Sequence, residues 1–322
     1  YSALTREPMT LDQLRIFLAV AEHLHFTRAA EELYITQPAV SAAIQSLETE
    51  YGVKLFHRIG RHIEITQAGL LLQVEAEKIL DRVRLTEQGL RELNNLQRGE
   101  LKLGSSLTIG NYWLPEKISQ FHQQYPGIII NCTLANTEEI CIGTAKGKFD
   151  IGLIEGSVKP DLDECLDREV IGGDRLVIVV GKSHPWFEKQ EVSLPELTTT
   201  DWIMREPGSG TQQRFEQALN NFGVSLKDLN VILVLNTGEM VKAVVEKSQA
   251  AAGISELMVR QELQLGTLRS IQILGSLQNR KKTLELLRPF LLIKHNQRFQ
   301  TQIAQAFEKM LIVSPFNVLK SH

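Results

Sequence analysis

Residues 26–47 read Phe26-Thr27-Arg28-Ala29-Ala30-Glu31-Glu32-Leu33-Tyr34-Ile35-Thr36-Gln37-Pro38-Ala39-Val40-Ser41-Ala42-Ala43-Ile44-Gln45-Ser46-Leu47. Counted from Phe26, the residues Ala29, Leu33, Ile35, Val40 and Ala43 fall where two short helices crossing at a wide angle need apolar packing. Ala30 sits at their closest approach, where only a small side chain fits. Thr27 and Thr36 read as helix starts, and Pro38 is tolerated in a first turn because its missing N–H has no partner there. On the second helix Val40, Ile44 and Leu47 make an inward stripe, with Gln37, Ser41 and Gln45 opposite at every fourth position. This is the pattern of a helix-turn-helix whose second helix lies in a DNA major groove. Short polar groups reach base edges there, as glutamine does with adenine, and the helix start at Thr36 and Gln37 turns backbone N–H groups toward a phosphate. A solvated face on a small helical domain is the plainer reading of the same residues. The segment after this helix favours DNA: Arg58, Arg61 and His62 surround Gly60 between the extended segments Leu55-Phe56 and Ile63–Ile65. Cations on such a hairpin stand beside the recognition helix as a wing, aimed at the DNA backbone. The candidate DNA-binding residues are Thr27, Arg28, Thr36, Gln37, Pro38, Ser41, Gln45, Arg58 and Arg61.

Upstream, Thr10-Leu11-Asp12-Gln13 has capping-box spacing, and Leu11, Leu14, Leu18 and Ala21 continue with helical periodicity. Tyr1–Pro8 match no pattern and Met9-Thr10-Leu11 reads like a natural start, so the first eight residues are expected to be a leader. From Met9 to Thr66 five cations (Arg15, Arg28, Lys54, Arg58, Arg61) face seven carboxylates (Asp12, Glu22, Glu31, Glu32, Glu48, Glu50, Glu64). The head is not basic as a whole, so DNA binding must rest on local placement and on more than one head.

Downstream, Thr66 is expected to cap one long helix to about Leu96. Leu72, Ala76, Ile79, Val83, Thr86, Leu90 and Leu93 alternate in steps of four and three, the seam of a dimerising coiled coil. Past Arg98-Gly99 strand-like segments (Leu101–Ser105, Ile128–Leu134, Phe149–Glu155, Leu176–Val180, Trp202–Arg205, Val231–Leu235, Ala251–Ser255, Arg288–Lys294) alternate with helical ones. The latter include Pro115–Tyr125, Glu138–Lys146, Gln212–Phe222, Gly238–Lys247 and Thr301–Leu311. Such alternation implies mainly parallel sheets covered by helices on both faces, and the length favours two α/β lobes. The expected division is a head at 9–66, a linker helix at 67–98, lobe I at 101–173 and 289–313, and lobe II at 174–288.

In two-lobed α/β domains a ligand lies between the lobes, where strands end and helices begin. Four segments have that placement: Ser105–Thr108, Asn136-Thr137, Arg205–Thr211 and Asn236–Gly238. In the third, Gly208 and Gly210 admit close backbone approach, Ser209 and Thr211 add hydroxyls, and Arg205 with a helix start supplies positive potential, which suits a carboxylate or phosphate. A glycine-bearing turn with helix caps is the plainer reading. The candidate effector-binding residues are Ser105, Ser106, Thr108, Thr137, Arg205, Ser209, Gly210, Thr211 and Thr237.

The whole chain of 322 residues, 43% hydrophobic and 23% charged with a net charge of −3, excludes a polybasic nucleic-acid binder. Apolar runs such as Pro289–Ile293 are far short of the ~20 residues that span a bilayer. Neither a membrane segment nor a secretion signal is expected, and the protein reads as cytoplasmic. Cys132, placed on a buried strand, Cys141 and Cys165 are too few and scattered for a disulfide framework, and no cation cluster activates them. The histidines lack metal-ligand spacing, and Asp150, Glu155 and Glu164 form no acid/base dyad. Neither catalysis, a metal nor a cofactor is expected.

Leu14-Arg15-Ile16-Phe17, Phe26–Ala30, Thr36–Ser41, Leu47-Glu48, Leu55–Arg58 and Ile65-Thr66-Gln67-Ala68-Gly69, in that order, resemble the LysR-type transcriptional regulators. The likeness continues through the α/β portion. It implies a winged helix-turn-helix, a long coiled-coil linker helix and a two-lobed effector domain of the type 2 periplasmic-binding-protein kind. It also implies homodimers assembling into homotetramers that bend double-stranded promoter DNA, a small-molecule effector, and RNA polymerase as a further candidate partner. Arg205–Thr211 resembles a subgroup regulating carbon and sulfur assimilation, whose inducers are small anionic metabolites. One departure is that many relatives carry a basic or amide residue after the Ser41 equivalent, where this chain has Ala42 and Ala43. The rival reading is a cytoplasmic small-molecule binding protein or enzyme on the same scaffold, its N-terminal helices serving as an interaction module.

Overall fold

The computed structural model describes residues 9–59, 62–92, 98–277, 280–284 and 286–312. Two compact units divide at Leu90/Arg91. The first contains α1 (Leu11–His23), α2 (Phe26–Glu32), α3 (Gln37–Tyr51), an antiparallel hairpin of β1 (Phe56–Ile59) and β2 (His62–Ile65), and α4 (Gln67–Glu92). Thr10 and Gln13 form the expected capping box at α1. Thr36 Oγ1 accepts from Ala39 N at 3.4 Å to start α3. The start of α2 differs from expectation. His25 is the extended cap residue and its Nδ1 accepts from Arg28 N, which leaves Thr27 inside the helix.

Val40, Ile44 and Leu47 are all buried, and with Leu14, Phe17, Val20, Ala29, Ala30 and Phe56 they make one core. Ile35 is exposed rather than packed, because the turn at Tyr34 (φ +55°) swings the chain outward before α3. Glu48 ties α3 to the hairpin. Its carboxylate accepts from Lys54 Nζ at 2.6 Å and from the backbone N–H groups of Leu55 (2.9 Å) and Phe56 (3.4 Å). Partial burial would raise this carboxyl, but Lys54 and the two N–H groups outweigh it and hold it below the usual range. Glu48→Gln should therefore cost the head about 1–3 kcal/mol at neutral pH in urea unfolding. Because the folded-state value is depressed, that stabilisation is present above the unfolded carboxylate range and is lost as pH falls, so the two proteins should converge in acid.

Thr66 caps α4 as expected: its hydroxyl accepts from Gly69 N at 3.0 Å and donates to Lys54 O at 2.6 Å. The seam on this helix is divided. Leu72 and Ala76 pack into the head's own core, whereas the later seam residues Ile79 and Leu90 are exposed, as are Leu70, Leu71 and Val74 off the seam. The head takes the first seam positions because Ala76, Leu72 and Leu80 join the core built on α1, α2 and α3. Leu93 and Leu96 lie outside the described residues. No helix among the described residues is long and apolar enough to cross a membrane.

The second unit has two lobes. Lobe I contains β3 (Gly99–Ser106), a π-type turn (Ile109–Trp113), α5 (Leu114–Gln124), β4 (Ile128–Ala135), α6 (Thr137–Ala145), β5 (Ile151–Glu155) and a short turn, α7 (Pro160–Asp163). β6 (Leu166–Gly181) then leads into lobe II: β7 (Glu191–Ser193), β8 (Asp201–Arg205), α8 (Gly210–Asn220), β9 (Asn230–Leu235), α9 (Gly238–Glu246), β10 (Ala250–Ser255), α10 (Glu256–Leu265), β11 (Leu268–Leu277) and β12 (Arg280–Thr283). β13 (Leu287–His295) returns to lobe I, and α11 (Gln302–Ile312) covers it. The sheet order β4-β3-β5-β13-β6-β10-β8-β9 crosses both lobes. β6 is longer than the expected Leu176–Val180: its first half pairs with β13 up to Arg175, and from Leu176 onward it pairs with β10. Each lobe has core on both sheet faces, which is why β5 (Ile-Gly-Leu-Ile-Glu) is buried at every position. Cys132 is exposed, because β4 is an edge strand and not a central one.

Candidate functional site

In the head, burying Val40, Ile44 and Leu47 turns the opposite face of α3 outward. Gln37, Pro38 and Gln45 are exposed and Ser41 half-exposed, with Gln37 Nε2 donating to Ser41 Oγ at 2.8 Å. Thr27, Arg28 and Thr36 are exposed on the same helix pair. Arg15 is taken up by Asp12 at 2.7 Å, and Lys54 by Glu48. Ala42 is exposed and lines a shallow depression with Gln45, Ser46, Thr49 and Glu50. Arg58 lies on β1 opposite Ile63; Gly60 and Arg61 lie outside the described residues. The arrangement offers an exposed row of amide and hydroxyl groups on one helix face, of the kind that reads a groove.

In the second unit, strand ends and helix starts meet between the lobes. Ser106 ends β3 and its hydroxyl donates to the Glu155 carboxylate; Thr137 Oγ1 donates to Glu155 O at 2.7 Å. Ser209 caps α8, its hydroxyl accepting from Gln212 N, and Thr237 caps α9, accepting from Met240 N at 3.2 Å. Thr211 Oγ1 accepts from Arg288 Nη1 at 3.0 Å. Ser105, also buried, donates its hydroxyl to the Ser106 carbonyl at 3.1 Å. Thr108 Oγ1 is buried near the Glu155 carboxyl but without hydrogen-bond geometry.

The cation expected at this site is already engaged. Arg205 is buried, but its Nε and Nη2 donate to Glu206 at 2.8 and 2.9 Å and Nη2 also to Asn236 O, so the next residue meets its charge. Gly208 adopts φ +89°, which favours glycine, and its carbonyl accepts from Glu138 N in lobe I at 3.2 Å. Gly210 lies so close to β5 that a Cβ there would stand 1.7 Å from Glu155 O. The lobes meet again where Tyr112 Oη donates to Glu239 at 3.0 Å.

Sequence reasoning missed the three charges at the centre. Arg288, 2% exposed on β13, grips Asp174 of β6 through Nε and Nη2 (2.5 and 2.9 Å), and its Nη1 stands 3.5 Å from Glu155. Ser255 completes Asp174 with a 2.6 Å hydrogen bond. Burial pushes the Glu155 carboxyl up and Asp174 adds to the rise, while Arg288, Ser106 and Thr108 pull the other way. The available signal was weak: Glu155 is the one charge of an apolar strand, whereas Asp174 and Arg288 share their strands with other charged residues. Among the described residues no group of three or more His, Cys, Asp or Glu could hold a metal. Cys141 is buried and its thiol is pushed up to about 12, far from a reactive thiolate.

The chain matches two family models: the bacterial regulatory helix-turn-helix protein, lysR family, over residues 11–70, and the LysR substrate binding domain over 94–312. A "Probable RuBisCO transcriptional regulator" of Trichormus variabilis is 32% identical over 95% of this chain and 88% of its own length. Among solved structures, the LysR family transcriptional regulator CbnR superposes with a TM-score of 0.65 at 19% identity, over 94% of this chain and 98% of that one. The CcmR regulatory domain of Synechocystis, in complex with 2-PG, gives 0.58 at 22% identity over 69% of this chain and 99% of its own. The relatives are regulators and not enzymes. With a helix-turn-helix head and a two-lobed domain that between them match nearly all of its described residues, the chain belongs to the LysR family of transcriptional regulators.

Proposed function

We propose that two heads, joined through the linker helices of a dimer, read successive major grooves of a pseudo-palindromic promoter site in the cytoplasm, and that a small anionic metabolite between the lobes changes how the DNA is held. On this reading 9–66 is the reader, 67–98 the linker, 101–173 with 289–313 lobe I, and 174–288 lobe II. The observation that carries it is the outward row Gln37, Ser41 and Gln45 on a helix whose other face is wholly buried. Thr27, Arg28, Thr36 and Pro38 extend that row, and Arg58 and Arg61 serve as the wing's phosphate contacts. The exposed Leu71, Val74, Ile79 and Leu90 of α4 support pairing of two chains, and dimers joining as tetramers would bend the promoter. The effector site comprises Ser105, Ser106, Thr108, Thr137, Arg205, Ser209, Gly210, Thr211 and Thr237. The anionic class is supported by the 2-PG carried by the similar CcmR regulatory domain. Effector binding would favour one lobe arrangement and so bias the heads, a coupling by differential affinity.

Electrophoretic mobility shift with the DNA upstream of the protein's own gene tests the reading. A sequence-specific complex that weakens with salt is expected. Gln37→Ala should cost about 1–3 kcal/mol at its base pair and relax specificity there, whereas Arg58→Ala should weaken all sequences alike. A complex without sequence preference, or one indifferent to both substitutions, overturns it.

A further inference from the structure

Glu155 is the last residue of a strand buried throughout, and its carboxylate, 3% exposed, lies between Ser106 of β3 and Arg288 of β13, whose guanidinium also reaches Thr211 of lobe II. Two of the groups around it, Ser106 and Thr108, belong to the effector site proposed above, and the third is the buried Arg288. Ser106 donates its hydroxyl to Oε2, Arg288 Nη1 stands 3.5 Å from Oε1, and Thr108, 1% exposed with no hydrogen-bond partner for its hydroxyl, borders the same carboxyl. Arg288 is already held by Asp174 through two hydrogen bonds, so one guanidinium serves two buried carboxylates. The cluster thus carries one more negative than positive charge, in surroundings where an unmatched ion is costly. An effector acid group using these donors would lie within a few ångströms of Glu155, where like charges repel strongly.

We infer that the Glu155 carboxylate is a built-in anion occupying the acid-binding place of the cleft, so that Glu155 sets how tightly anionic effectors bind and an effector must displace or neutralise it. This rests on the cleft reading given above and adds to it a specificity-determining residue. In the resting protein Glu155 satisfies Ser106 and leans on Arg288. An incoming anion wins only by supplying a better acceptor to the same donors, or when Glu155 takes up a proton. Among the described residues the charged groups that act on Glu155 are Arg288 from β13 and Asp174 from β6.

The test uses the full chain and inorganic sulfate at fixed ionic strength, followed by tryptophan emission. Trp113 is the reporter, because its ring packs on Phe290 at 5.9 Å and beside Gly172 of β6, where the lobes join. Glu155→Gln should bind sulfate about tenfold or more tightly than the unaltered chain, about 1.4 kcal/mol for each decade. Equal or weaker binding, or no sulfate response in Glu155→Gln, overturns the inference. The unaltered chain provides a second measurement that needs no variant to fold. Its sulfate affinity should rise as pH is lowered from neutral toward the carboxylate range, because burial holds the Glu155 carboxyl above its usual value. A flat profile overturns the inference, as does a rise of equal size in Glu155→Gln. Adding Ser106→Ala and Thr108→Ala to Glu155→Gln should abolish the response. If sulfate still binds, it lies outside the cleft, and the cleft reading fails along with the inference; if only the tenfold gain is missing, the cleft reading stands and the role of Glu155 falls.

Discussion

Gly210→Ala is expected to drive the lobes out of their present contact while leaving lobe II folded. The local backbone at the start of α8 is helical and accepts alanine, so the substitution adds no strain within its own helix. The conflict is entirely with lobe I. A methyl at this position would stand 1.7 Å from Glu155 O, 2.6 Å from its carbonyl carbon and 2.7 Å from Thr137 Oγ1, and two of those three are backbone atoms that no rotamer change can move. The seam it would break is held by Glu138 N–H on Gly208 O and by Ser157 N–H on Gln213 Oε1, at 3.2 Å each. Overpacking of this kind costs about 1–3 kcal/mol, which in a unit of this size lowers Tm by about 2–12 °C. Hydrogen exchange at the amides of Glu138 and Ser157 should accelerate, and exchange along α8 should not. Unchanged exchange at those two amides would show that the seam yields without opening.

Arg288→Met should be the most damaging single change in the second unit. Methionine fills much of the volume of the arginine stem, so the loss is electrostatic. Asp174 loses two hydrogen bonds, Thr211 loses a donor, and Glu155 and Asp174 are left without their shared cation. Removing one partner of a buried ion pair costs about 3–5 kcal/mol, because the charge left behind is uncompensated. The pH dependence has a definite sign. Without the guanidinium, Glu155 is freed of the influence that opposed its burial, so its folded-state carboxyl rises further above the unfolded value. A group raised in this way stabilises the folded state below its unfolded pKa and loses that stabilisation as pH climbs through the folded one. The deficit of Arg288→Met should therefore be largest at neutral pH and shrink as the medium is acidified toward the carboxylate range. Urea unfolding at both pH values measures it, and a deficit independent of pH would assign the loss to packing.

These expectations depend on residues that were legible to different degrees. The inward stripe of α3 could be read from spacing alone, because one-sided burial at Val40, Ile44 and Leu47 is what a short amphipathic helix on a small core requires. Most strands of the two lobes showed as near-continuous apolar runs, the mark of a sheet covered on both faces. Glu155, Asp174 and Arg288 were not legible as a group. Glu155 ends an apolar strand and reads as a strand boundary, Asp174 is one of several charges in β6, and only the pairing of β13 with both β5 and β6 brings them together with Arg288. The cap on α2 was misread because His25 as an acceptor competes with the far commoner threonine. The seam of α4 was overextended, since heptad spacing cannot distinguish a partner helix from the head's own core at Leu72 and Ala76. Arg205 looked available because an adjacent glutamate in sequence says nothing about rotamer.

The sheet order has a consequence for how the chain matures. β13 lies between β5 and β6 in lobe I, yet its residues follow the whole of lobe II in sequence. During synthesis β3, β4 and β5 emerge early and must wait, with the edge of β5 open, while more than a hundred further residues are made. Lobe II can reach its full strand complement first, apart from its neighbour along β6. Only when Leu287–His295 inserts, and α11 lays Phe307 and Leu311 over the exposed face, does lobe I close. The first-made half of the receiver is thus the last to be finished, a high-contact-order step that favours slow maturation and makes the unpaired β5 edge the point most open to misassociation.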